Sequence, residues 1–149
     1  MIMSMNDADI DEYRSKVLLF EEEHLSIDGN NNNDDYDSNN LIIGICRDLI
    51  NKGISIEESQ LLFSNDVKEC YNDIKDLFLD FDSFPKDIRY LLIDIRFYMG
   101  SSYRFRSLKK LISAVNHHNQ EELLKQVKIT NWYKNNPGRS KHFINLVME

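Results

Sequence analysis

The sequence predicts a predominantly helical α+β chain: a small N-terminal strand-and-loop lobe followed by a larger C-terminal helical bundle. Three observations carry this expectation. Ser55-Ile56-Glu57-Glu58 and Asn119-Gln120-Glu121-Glu122 both set a capping side chain three residues before a Glu, ahead of apolar residues at helical spacing. Ile88 to Phe97 is apolar almost all round, as a helix at the centre of a bundle must be. Only Leu41 to Ile45 reads as a strand, and a polar, Asn-rich run precedes it.

In chain order, Ile10, Tyr13, Val17 and Phe20 recur every three or four residues behind Asn6, a good N-cap, so a helix is expected over residues 7–24. It would end in the acidic run Glu21-Glu22-Glu23. The stretch from Asp28 to Asn40 has almost nothing to bury and reads as a loop. Gly44 inside the strand run suggests close backbone approach. From Ser55 the apolar stripe continues through Val67, Cys70, Tyr71, Ile74, Leu77 and Phe78, which predicts one long helix or two nearly collinear ones. Pro85 should open the central helix and Gly100 should cap its end. Phe105, Leu108, Leu111, Ile112 and Val115 mark a further helix, and Leu123, Leu124 and Val127 another. A Trp132-Tyr133 corner then leads to Pro137, which opens a last helix with Phe143, Ile144 and Val147 inward.

With 149 residues the chain can bury a sizeable core as a single domain with a lobe at about 25–54 and another at about 55–149. No apolar run approaches a membrane span and the start lacks the pattern of a signal peptide, so a cytoplasmic, monomeric protein without membrane association is expected. Cys46 and Cys70 have no Cys or His companions, which favours small buried thiols over a disulfide or a metal site. No phosphate-binding glycine loop and no nucleophile elbow is present, and no cofactor is expected. The net charge of −7 hides an asymmetry: from Arg96 onward there are ten Lys or Arg against three Glu. The basic end is therefore the surface open to an anionic partner, though the Lys109-Lys110 region is too thin to argue nucleic acid.

Three segments then converge. Gly53-Ile54-Ser55-Ile56-Glu57-Glu58-Ser59-Gln60-Leu61-Leu62-Phe63-Ser64-Asn65-Asp66-Val67, Phe97-Tyr98-Met99-Gly100 and Asn131-Trp132-Tyr133-Lys134-Asn135-Asn136-Pro137-Gly138-Arg139-Ser140-Lys141 together resemble, in order, the phage-type lysozymes (endolysins, glycoside hydrolase family 24) over roughly Val17 to Met148. The resemblance implies a lysozyme-like fold and a muramidase that hydrolyses the β-1,4 bonds of peptidoglycan. Glu23, with Leu25 and Ile27 two and four positions on, matches the family's general acid, and Ile42-Ile43-Gly44-Ile45-Cys46-Arg47 aligns with its strand Thr-Ile-Gly-x-Gly-His. Such chemistry needs one protonated carboxyl to donate to the leaving oxygen and one carboxylate to activate water. Tyr36 stands where the family's Asp is expected, so its neighbours Asp35 and Asp37 are the candidates for the base. Ile42 replaces the Thr hydroxyl, and Arg47 replaces the His. Arg139 matches the family's Arg beside the catalytic Glu, which suggests an Arg139–Glu23 pair, and Tyr98 and Met99 could touch a glycan. The competing expectation is a catalytically inactive relative that uses the fold to bind a glycan or a protein partner.

Overall fold

The computed structural model describes residues 6–19, 42–44 and 47–149. Glu23, Asp35 and Asp37 lie outside the described residues, as do the expected end of the first helix at 20–24, the Asn-rich stretch, and Cys46. Helices dominate, and the chain divides into two compact units, 1–59 and 60–149.

In the first unit, α1 spans Asp7–Val17 and opens on a complete capping box: the Asn6 side chain accepts from Asp9 N–H and Asp9 accepts from Asn6 N–H, both at 2.9 Å. Its expected apolar stripe is not buried, for Ile10 and Tyr13 are both exposed. The strand expectation reduces to an antiparallel pair of two-residue strands, β1 (Ile42–Ile43) and β2 (Arg47–Asp48), with Ile42 opposite Asp48 and Ile43 opposite Arg47. Gly44 between them has φ +61°, and a Cβ there would meet nothing within 4 Å. The glycine is needed for a left-handed backbone, not for the close approach expected from the sequence. Asp48 then caps the short α2 (Leu49–Lys52) by accepting from Ile50 and Asn51 N–H.

Ser55 and Glu58 form the expected capping box, with bonds of 2.7 and 3.1 Å, at the start of α3 (Ile56–Leu77). The 22 residues form one continuous helix, about 33 Å long at 1.5 Å per residue. The same Glu58 receives both terminal nitrogens of Arg47 at 2.8 Å, while Arg47 also donates to Gly53 O at 3.0 and 2.7 Å. Arg47 is thus a clamp that fixes the strand end to the turn before α3.

In the second unit, a 3-10 turn (Phe81–Ser83) leads to α4 (Lys86–Met99), with Pro85 just before it and Gly100 capping it at φ +73°. Leu91, Leu92 and Ile95 are fully buried, as the all-apolar pattern predicts. They pack with Ile74, Phe78, Phe81, Phe105, Leu111, Val127, Trp132 and Ile144 in one core. The helix expected from Phe105 to Val115 is two helices, α5 (Ser102–Arg106) and α6 (Lys109–Asn116). Leu108, at ψ +59°, leaves helical geometry, and the Ser107 hydroxyl and carbonyl close the turn by bonding to Arg104 O and Lys109 N–H. After α7 (Gln120–Val127), capped by Asn119, Thr130 accepts from Tyr133 N–H and caps α8 (Asn131–Asn135), so the aromatic corner is itself helical. Pro137 opens α9 (Pro137–Met148) as expected. No described helix is long and apolar enough to cross a membrane.

The Ser55 backbone N–H and the Arg47 guanidinium hold the Glu58 carboxyl below its ordinary value of 4.5. A carboxyl with a lowered folded value contributes stability that is present above the unfolded value and lost as pH falls through the folded one. Glu58→Gln keeps the capping geometry but loses the charge. The variant should therefore melt below the wild type at pH 7, and the difference should close at pH values well under 4.5 in paired thermal melts.

Candidate functional site

Asp94 lies in the middle of α4, where the sequence pattern calls for apolar residues, and its side chain is only 8% exposed. A carboxylate so buried must be met by donors. Trp132 on α8 donates its indole N–H to Oδ2 at 2.7 Å, and Arg139 on α9 donates Nε to both oxygens at 3.0 and 2.9 Å. A further, short contact from Arg139 Nη2 to Oδ1 completes a two-pronged pair. Trp132 and Arg139 lie 38 and 45 positions from Asp94 in sequence, and their bonds to it lock two C-terminal helices onto the central one.

A cavity of about 240 Å³ opens beside this lock, lined by Asp94, Phe97, Tyr98, Trp132, Asn136 and Arg139. Its rim is ordered by polar bonds: Asn135 donates to the Tyr98 hydroxyl at 2.8 Å, and Asn136 donates to Trp132 O at 3.0 Å. Half of the Arg139 side chain (52%) remains open to water and Tyr98 is 39% exposed, so both present hydrogen-bonding groups to whatever enters. An aromatic floor with a few fixed polar groups suits the faces and hydroxyls of a sugar.

Of the residues singled out from the sequence, Tyr98 and Arg139 meet at this cavity. Met99 does not line it and packs instead against the core. Arg139 pairs with Asp94, whereas the pairing expected from the resemblance was with Glu23, which lies outside the described residues together with Asp35 and Asp37. Arg47, at the family's His position, is spent on Glu58 and Gly53. Asp94 was missed by sequence reasoning. The signal was there: an acid inside the apolar run Leu91 to Ile95 requires a buried partner. The same holds for Arg96, buried on α4 and bonded to Asp73 at 2.8 and 2.6 Å and to Glu69 at 2.9 Å. Cys70 is buried nearby, and burial pushes its thiol up from the ordinary value, which makes it an unreactive packing residue. Among the described residues no group of His, Cys, Asp and Glu could hold a metal ion.

The pair is asymmetric. Water can reach Arg139 but hardly Asp94, so removing the arginine strands a buried carboxylate. Arg139→Ala should cost about 1–3 kcal/mol in urea denaturation. In a cycle with Asp94→Asn, the two changes should be non-additive by at least about 1 kcal/mol, and simple additivity would mean that the pair carries no stability.

Comparison of the chain with family models, with curated proteins and with solved structures gave no match.

Proposed function

We propose that this chain is a lysozyme-like muramidase that hydrolyses β-1,4 glycosidic bonds of peptidoglycan, reaching the wall through release or delivery by another component. The observation that carries the reading is the meeting of two separate family-like segments at one cavity. Phe97 and Tyr98 at the end of α4 and the Trp132 to Arg139 corner meet beside Asp94, and a hollow of about 240 Å³ lies between them. In this reading Tyr98 and Arg139 seat the sugar, with the buried Trp132 behind them. Glu23 gives its proton to the glycosidic oxygen as the bond to the anomeric carbon breaks, and Asp35 or Asp37 takes a proton from the water that attacks that carbon.

A second reading is favoured by two specific commitments. Arg47 and Arg139, which stand at positions tied to catalysis in the family, are each held by a carboxylate that has a structural duty, Glu58 at a helix cap and Asp94 in the core. A chain that has turned these side chains to fold maintenance would keep the cavity as a non-catalytic glycan-binding module.

Turbidity of a peptidoglycan suspension at pH 5 to 7 separates the two, with the wild type beside Glu23→Gln and with the protein pelleted from the same tubes. The muramidase reading expects clearing by the wild type that Glu23→Gln abolishes. Co-pelleting without clearing establishes the binding module, and neither clearing nor co-pelleting removes both.

A further inference from the structure

Four cations stand within seven residues on α5 and α6: Arg104, Arg106, Lys109 and Lys110, all exposed. Among the described residues, the carboxylate pairs of the second unit are made by Lys75, Arg96, His118, Lys125 and Arg139, and none of these four takes part. Arg106 is aimed by a bond from Nε to the Ser102 hydroxyl at 3.1 Å. Lys109 and Lys110 are the first residues of α6, where the helix dipole is positive and an acidic residue would stabilise; α6 has no acid in its first turn and no side-chain cap. Two lysines at that end weaken the fold, and no packing role explains them, since both are exposed. The cost is recovered if an anion settles there.

The surface is also concave. Lys109, Lys110, Ser107, Gln126 and Thr130 line a groove of about 260 Å³ together with the apolar Leu108, Leu111 and Ile129. Lys110 also lines an adjoining hollow of about 230 Å³, with Ser113 and His117. Glu122 at the wall of that hollow is answered by Gln126 at 2.7 Å and Lys125 at 3.7 Å, so it does not turn the face acidic. We propose that the α5–α6 face is a second binding surface, outside the Asp94 cavity, for a linear phosphodiester polymer of the polyol-phosphate kind carried on bacterial walls. Lys109 and Lys110 at the groove, with the exposed Arg104 and Arg106 on the neighbouring α5, match a chain of phosphates by charge. A single-stranded nucleic acid stacks its bases on aromatic platforms, and Tyr103, 84% exposed, is the one exposed aromatic side chain of α5 and α6. The existence of the surface is independent of the muramidase reading; the choice of a wall polymer rests on it.

The test is fluorescence anisotropy of a labelled glycerol-phosphate oligomer with the full chain, at about 50 and 200 mM salt. Inorganic phosphate and a single-stranded DNA of equal charge serve as competitors. The wild type should bind the oligomer, weaken with salt, and be displaced poorly by free phosphate. Lys109→Gln/Lys110→Gln should bind about 10-fold more weakly, as two lost phosphate contacts require, while its melting temperature stays level or rises. Lys134→Gln/Lys141→Gln, which removes the same charge elsewhere in the unit, should change binding less than about 2-fold. Equal losses in the two variants would reduce the effect to net charge, tighter binding of DNA would assign the surface to nucleic acid, and no binding would remove it. The oligomer holds no glycosidic bond, so a failure here and a failure of wall clearing are separate results.

Discussion

The buried carboxylate of Asp94 is the constraint on which the C-terminal architecture depends. Once an acid is placed in the middle of the central helix, the chain must bring donors to it, and the indole of Trp132 and the guanidinium of Arg139 supply them from two helices that follow much later. Satisfying one polar group therefore fixes the docking of α8 and α9 on α4. The cavity walls are a consequence, because Phe97 and Tyr98 lie one turn further along the same helix. Stability and the candidate binding site thus share their atoms, and a change at either end of the pair is felt by both.

The same economy recurs in the other ion pairs. Arg96 is buried against Asp73 and Glu69, and Arg47 is clamped between Glu58 and a backbone carbonyl. In each case the acids that meet the cation stand on α3. Among the described residues the cations without a carboxylate partner include the four on α5 and α6, and they are the basis for assigning a second surface there.

Much of the helical order was legible in the sequence because its signals are local. The box at Ser55, the Pro before α4 and at the start of α9, and the left-handed Gly100 each act over three or four residues and each appears where expected, while the box expected at Asn119 is reduced to its cap, because Glu122 turns to Gln126 instead of back to Asn119 N–H. The break between α5 and α6 was not legible, since the apolar spacing runs through it and only the Ser107 bonds reveal the turn. Ile10 and Tyr13 show the limit of periodicity in the other direction: a stripe at helical spacing forms the helix without being buried. The partners of Asp94 and Arg96 lie 23 to 45 residues away, beyond any window that reads spacing alone. The composition did announce that such partners had to exist.

The central claim is that the hollow at Trp132 receives a glycan. The chain holds a single tryptophan, so its indole N–H gives one resolved NMR signal at the floor of that hollow. Titration with a soluble peptidoglycan oligosaccharide should move this signal together with the backbone signals of Tyr98, Asn136 and Arg139, saturably. Shifts confined to other parts of the chain, with the indole signal unmoved, would contradict the account.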